Sequence, residues 1–118
     1  MTQSEYMNKI NSAFKTYIMN NASIFDAYCY RDHRACDYIK YFKNAVERLG
    51  LKFSNCYNAN GIGNNNEYKI YLEEIDKDGF IVQKNVAEFY YCYGIYSGCF
   101  ASITDVVTGK KLKVSNAR

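Results

Sequence analysis

Met7, Ile10, Phe14, Tyr17 and Ile18 recur at intervals of three and four residues through Asn20, with Lys9, Asn11 and Lys15 between them. That spacing places the apolar set on one face of an α-helix. Thr2 and Glu5 precede the stripe as a capping box, in which hydroxyl and carboxylate each satisfy an orphan backbone amide. Asn20 and Asn21 terminate it, since asparagine tolerates the left-handed conformation just past a helix end. Ser23 and Asp26 repeat the capping signal in lesser form, and residues 24–49 contain neither Gly nor Pro. Ile24, Tyr28, Ala35, Ile39, Phe42, Val46 and Leu49 supply a second stripe, interrupted at Arg31–Arg34. Two arrangements fit: one long helix that exposes this polar turn, or a break near Arg31 followed by a helix with Asp32 as its N-cap. Gly50 closes the stretch by taking the left-handed position, with Arg48 near the negative end of the helix dipole.

Beyond Gly50 the period shortens to about two. Leu51 and Phe53 open a strand, and residues 58–66, rich in Asn and Gly, read as a mobile loop because both residue types adopt positive φ cheaply. Tyr68, Ile70 and Leu72 alternate with Lys69, Tyr71 and Glu73, and the run from Asp76 to Gly79 forms a hairpin turn into Phe80, Ile81 and Val82. In residues 86–96 a helix-cap signal, Asn85 with Glu88, competes with the strand-favouring run Phe89–Tyr93, and strand is the choice. Residues 100–107 and 110–114 flank Thr108 and Gly109 as a last hairpin. The expected fold is α+β: two N-terminal helices packed on a C-terminal antiparallel β-sheet of four to six strands. It spans 1–118 as a single domain, with helices over about 3–49 and strands over about 51–115.

Composition narrows the class further. Apolar residues make up 48% of the chain and charged residues 23%, which excludes bulk disorder. No apolar run nears the roughly 20 residues that span a bilayer, and the N-terminus lacks a secretory pattern, so a cytoplasmic protein without a membrane partner is expected. Asn, Ile, Lys, Tyr and Phe together supply 54 residues while Pro and Trp are absent. That bias follows A/T-rich codons and suits an A/T-rich bacterium, a phage or another mobile element. Five cysteines, Cys29, Cys36, Cys56, Cys92 and Cys99, are odd in number and form no C-x-x-C pair, so reduced thiols are expected.

Candidate chemistry is sparse. Cys29, His33 and Cys36 fall at i, i+4 and i+7, along one face of a continuous helix, and thiolate and imidazole are zinc ligands. They lack an evident fourth ligand, and ordinary packing with a surface histidine is the simpler account. No cofactor is expected. His33 is the sole histidine, so any Cys–His or acid–base centre would have to use it. Gly61–Gly63 leads into asparagines and a strand, unlike a phosphate-binding fingerprint, and neither G-x-S-x-G nor H-E-x-x-H occurs. Arg31 and Arg34 carry planar forks suited to carboxylate or phosphate.

Charge and tyrosine carry the most information. Residues 67–88 hold six acidic side chains and three lysines, net −3, whereas residues 109–118 hold Lys110, Lys111, Lys113 and Arg118, net +4. Tyr68, Tyr71, Tyr90, Tyr91, Tyr93 and Tyr96 crowd the strand region, and alternation turns some of their rings away from the core. Exposed tyrosines give large contact area at low entropic cost. The leading expectation is a small non-enzymatic protein-interaction module that binds, and inhibits, a protein partner through these tyrosines with Arg31 and Arg34. The alternative is a nucleic-acid-binding protein using Lys110, Lys111, Lys113 and surface aromatics. A second alternative is a small enzyme or metal site centred on His33. Strand edges and outward tyrosines also suit a homodimer.

Overall fold

In a computed structural model, which describes residues 1–21, 33–59, 63–94 and 98–116, Thr2 caps helix α1 (Gln3–Tyr17). The Glu5 amide donates to Thr2 Oγ1 at 3.2 Å, and the Thr2 amide donates to Glu5 Oε1 at 3.4 Å. The helix ends in a 3₁₀ turn at Met19–Asn21. Asn21 works there through its side chain, whose amide donates to the carbonyls of Thr16 and Tyr17 at 3.1 and 3.3 Å and satisfies acceptors that the last turn leaves orphaned. Helix α2 is described over His33–Glu47, and the turn after it closes at Gly50, whose φ is +86°. The first part of the expected second helix, with Ile24, Tyr28, Cys29 and Arg31, lies outside the described residues.

Five strands follow: β1 (Lys52–Ala59), β2 (Gly63–Ile75), β3 (Ile81–Gly94), β4 (Gly98–Asp105) and β5 (Lys111–Asn116). They form one antiparallel meander in the order β1-β2-β3-β4-β5, so the α+β arrangement, with its helices N-terminal to the sheet, stands. The expected loop over 58–66 is corrected. Asn58 and Ala59 pair with Asn66 and Asn65, and Gly63–Asn66 pair on their other side with β3. The ladder uses backbone groups alone, so strand pairing, on both sides at Asn65 and Asn66, holds a polar run that composition assigns to a loop. Only residues 60–62 of it fall outside the described set. The last strand pair is shifted rather than shortened: β4 spans Gly98–Asp105 instead of 100–107, Val106–Thr108 turn, and β5 spans Lys111–Asn116 instead of 110–114. Residues 86–94 are strand, as their aromatics indicate.

Both helices cover one face of the sheet. Met7, Ile10, Phe14 and Ile18 from the α1 segment and Phe42 and Val46 from α2 meet Leu51, Ile70, Ala87, Phe89, Ala101 and Ile103 from the strand side, all at 5% exposure or less. Phe89 is the hub of this core. Its ring lies 4.9 Å from Phe42, 5.9 Å from Phe53 and 6.2 Å from Phe14, in tilted and edge-on geometries that add to the burial energy. Among the described residues, no helix is long and apolar enough to cross a membrane.

Two strands outrun the rest. Pairing of β1 with β2 stops at Tyr71, and pairing of β4 with β3 stops at Ala87. The β2–β3 hairpin then continues alone through Leu72–Lys84, Glu73–Gln83, Glu74–Val82 and Ile75–Ile81. Four further rungs at about 3.3 Å each make an arm roughly 13 Å long before its turn. The molecule accordingly measures 50 × 27 × 24 Å.

Candidate functional site

The sheet face away from the helices is built by strict alternation. Tyr68, Ile70 and Leu72 pack under the helices, so Glu67, Lys69 and Tyr71 stand on the open side. Register carries the pattern across the strands. Ser54, Lys69, Glu88, Thr104 and Lys111 form one row, and Glu67, Tyr90, Ser102 and Lys113 the next. A groove of about 550 Å³ runs over these rows. Ser102, on the side away from the described helices, is 3% exposed, and flanking Tyr90 and Phe100, whose rings are 5.8 Å apart, rise beside it.

The six tyrosines therefore divide. Tyr68 and Tyr91 face the helices, stack at 6.1 Å with 9° between ring planes, and pack against the core. They extend the aromatic interior rather than a docking face. Tyr71 and Tyr90 lie half-buried on the open side. Tyr93 is a β3 position paired with Asn64 and Cys99, and Tyr96 lies outside the described residues, as does Arg31. Arg34, His33 and Cys36 belong to α2. Cys29 lies outside the described residues, and with it the expected ligand trio as a set; among the described residues no group of three His, Cys, Asp or Glu could hold a metal. Lys110, Lys111 and Lys113 are exposed, the last two on the β5 side of the open face, across the sheet from Lys52 and Lys69 on β1 and β2.

The arm is the feature that sequence reasoning did not single out. Ile75, Phe80, Ile81 and Val82 are 75%, 69%, 69% and 43% exposed, and they account for four of the seven exposed large hydrophobic residues among those described. Such residues are ordinary when scattered and informative when gathered. Ile75 and Ile81 are direct partners on the same side as Tyr71, so the open face continues along the arm. Val82 projects on the opposite side beside Leu72 and Lys84. Alternation carries no signal for the arm, because Glu73 and Glu74 are adjacent polar positions and Ile81 and Val82 adjacent apolar ones.

The arm is firmly rooted. An extra β3 residue, Val86, bulges between Asn85 and Ala87, and it is 1% exposed. Its carbonyl accepts from the Gln3 side-chain amide at 3.0 Å and from the Val106 amide at 3.4 Å. Gln3 Nε2 also donates to Asp105 Oδ1 at 3.2 Å. Partial burial works against the Asp105 charge, but the backbone amides of Val107 and Thr108, the Thr108 hydroxyl and the Gln3 amide outweigh it and hold its pKa below the ordinary value. At the far end Asp76 Oδ1 accepts from the amides of Asp78 and Phe80, both at 2.9 Å, and Gly79 takes φ +85°. No protein-family model matches the chain, and no curated protein or solved structure matches it.

Proposed function

We propose that this protein is a non-enzymatic binding module that acts in the cytoplasm by docking onto another protein and occluding it, with the β2–β3 arm as its principal contact. The observation that supports this is the apolar tip: four large side chains within eight residues, held in water on a two-stranded projection. An isolated hairpin is at best marginally stable, so retaining such a tip costs stability that a bound partner restores. Glu73, Glu74, Asp76 and Asp78 surround it, which favours a basic partner surface with an apolar centre and disfavours phosphate-bearing surfaces. Tyr71 at the arm's root and the open face extend the contact. The test is affinity capture from host lysate with wild-type protein and with a Phe80→Ser, Ile81→Ser variant whose fold is verified by circular dichroism. Specific capture that the variant loses supports docking through the arm, and equal capture by both removes it.

A second reading has its own observation. Lys52, Lys69, Lys111 and Lys113 share the open face with Tyr71, Tyr90 and Phe100, a combination that can stack bases and neutralise phosphates. Glu67 and Glu88 stand among them and oppose it. Gel-shift binding of single-stranded oligonucleotides that falls steeply with salt would favour this reading, and no shift at low salt would eliminate it.

A further inference from the structure

We infer that one partner of the arm is a second copy of this chain, with the arm of each molecule seated across the open sheet face of the other. The inference rests on the arm being a docking element and names what it docks onto. Charge complementarity carries it. Residues 72–84 contain four acidic side chains and two lysines, net −2. The open face carries Lys52, Lys69, Lys111 and Lys113 against Glu67 and Glu88, net +2 among the described residues. Apolar and polar chemistry match as well: the arm offers Phe80, Ile75 and Ile81, and the face offers the 550 Å³ groove over Ser102 with Tyr90 and Phe100 at its side.

The two surfaces cannot meet within one molecule. The arm continues the plane of its own sheet, with β2 and β3 paired without interruption from Leu72–Lys84 to Ile75–Ile81, so it leads away from the face it would have to cover. Between two molecules the contact can be reciprocal. Exchange about a two-fold axis uses both arms and both faces and closes the assembly at two. Each apolar tip then leaves water, and each acidic flank lies against lysines. The dimer also masks the surface proposed to engage another protein, so the two associations compete.

The experiment is sedimentation equilibrium on the full chain at several concentrations and salt strengths. A dimer that loosens as salt rises is expected, because the ionic part is screened beyond about 8 Å at physiological strength. Phe80→Ser should weaken it by about tenfold or more. The discriminating pair is Lys111→Glu, Lys113→Glu in one chain and Glu73→Lys, Glu74→Lys in another. Each alone sets like charges against each other and should be monomeric. Mixed, each arm meets a face of opposite sign and a one-to-one dimer should return. All four substitutions are at exposed positions, and thermal unfolding of each variant verifies its fold. A monomeric wild type, or a dimer indifferent to these changes, overturns the inference. If the wild type is monomeric while Phe80→Ser, Ile81→Ser still abolishes capture of another protein, docking through the arm stands and the second copy is excluded.

Discussion

The Asp105 carboxylate sits where the start of α1, the root of the arm and the β4–β5 turn meet. Its Oδ1 accepts from Val107 at 2.8 Å, Thr108 at 3.2 Å and Gln3 at 3.2 Å, charge-assisted bonds that a neutral side chain makes less well. Asp105→Ala should cost about 1–3 kcal/mol in urea unfolding. The pH dependence follows from its lowered pKa. The stabilisation is fully present above the ordinary aspartate value of about 4 and is lost as pH falls through the lower folded value. Asp105→Asn should therefore be less stable than wild type at neutral pH, with the gap closing in acid; a gap that stays constant down to acid unfolding would refute the assignment. The two faces can be separated at the same scale. Tyr68→Ser and Tyr91→Ser remove rings packed on the core and should each cost about 2–4 kcal/mol, whereas Tyr71→Ser should cost under about 1 kcal/mol.

Among the elements, the arm should open independently of the rest. Its four outer rungs have no third strand among the described residues and bury little apolar surface, the conditions for low local stability. Gly79→Ala places a side chain at φ +85° with nothing within 4 Å to clash, so its penalty of about 1 kcal/mol is conformational alone. Amide exchange over residues 72–84 should accelerate in this variant while exchange in β4 stays unchanged. Parallel acceleration in β4 would show that the arm and sheet open as one unit. These elements were legible to different degrees. The α1 cap, the Asp76–Gly79 turn and the β2 alternation are local signals, and each appears where the sequence indicates. Asn58 and Gly63–Asn66 are strand because of neighbours distant in sequence, and their composition carries no trace of that support.

For the whole molecule, the described helices pack on one sheet face and not on the other, and this asymmetry decides where each described tyrosine belongs. Sequence reveals that the tyrosines alternate, but not which side α1 and α2 cover; that is fixed by the aromatic hub around Phe89. Phe89→Ala should cost about 3–5 kcal/mol, a large part of the roughly 5–15 kcal/mol that holds a domain folded. A midpoint in urea close to that of wild type would mean the core is organised around another residue. Candidate metal chemistry was less legible still, because spacing along one helix cannot say what a fourth element brings opposite it.

The bulge at Val86 works as a parity switch. Below it, odd-numbered β3 positions such as Ala87 and Phe89 point toward the helices; above it, odd-numbered positions such as Ile81 point the other way and join Ile75. A single-residue deletion between Ile81 and Val86 would leave composition nearly untouched and let the ladder run on without a bulge: Ile81 would stay opposite Ile75, but Val86 would fall opposite Tyr71 and leave the interior for the open side. Chain length in this short segment is therefore under tighter constraint than the identity of most side chains within it.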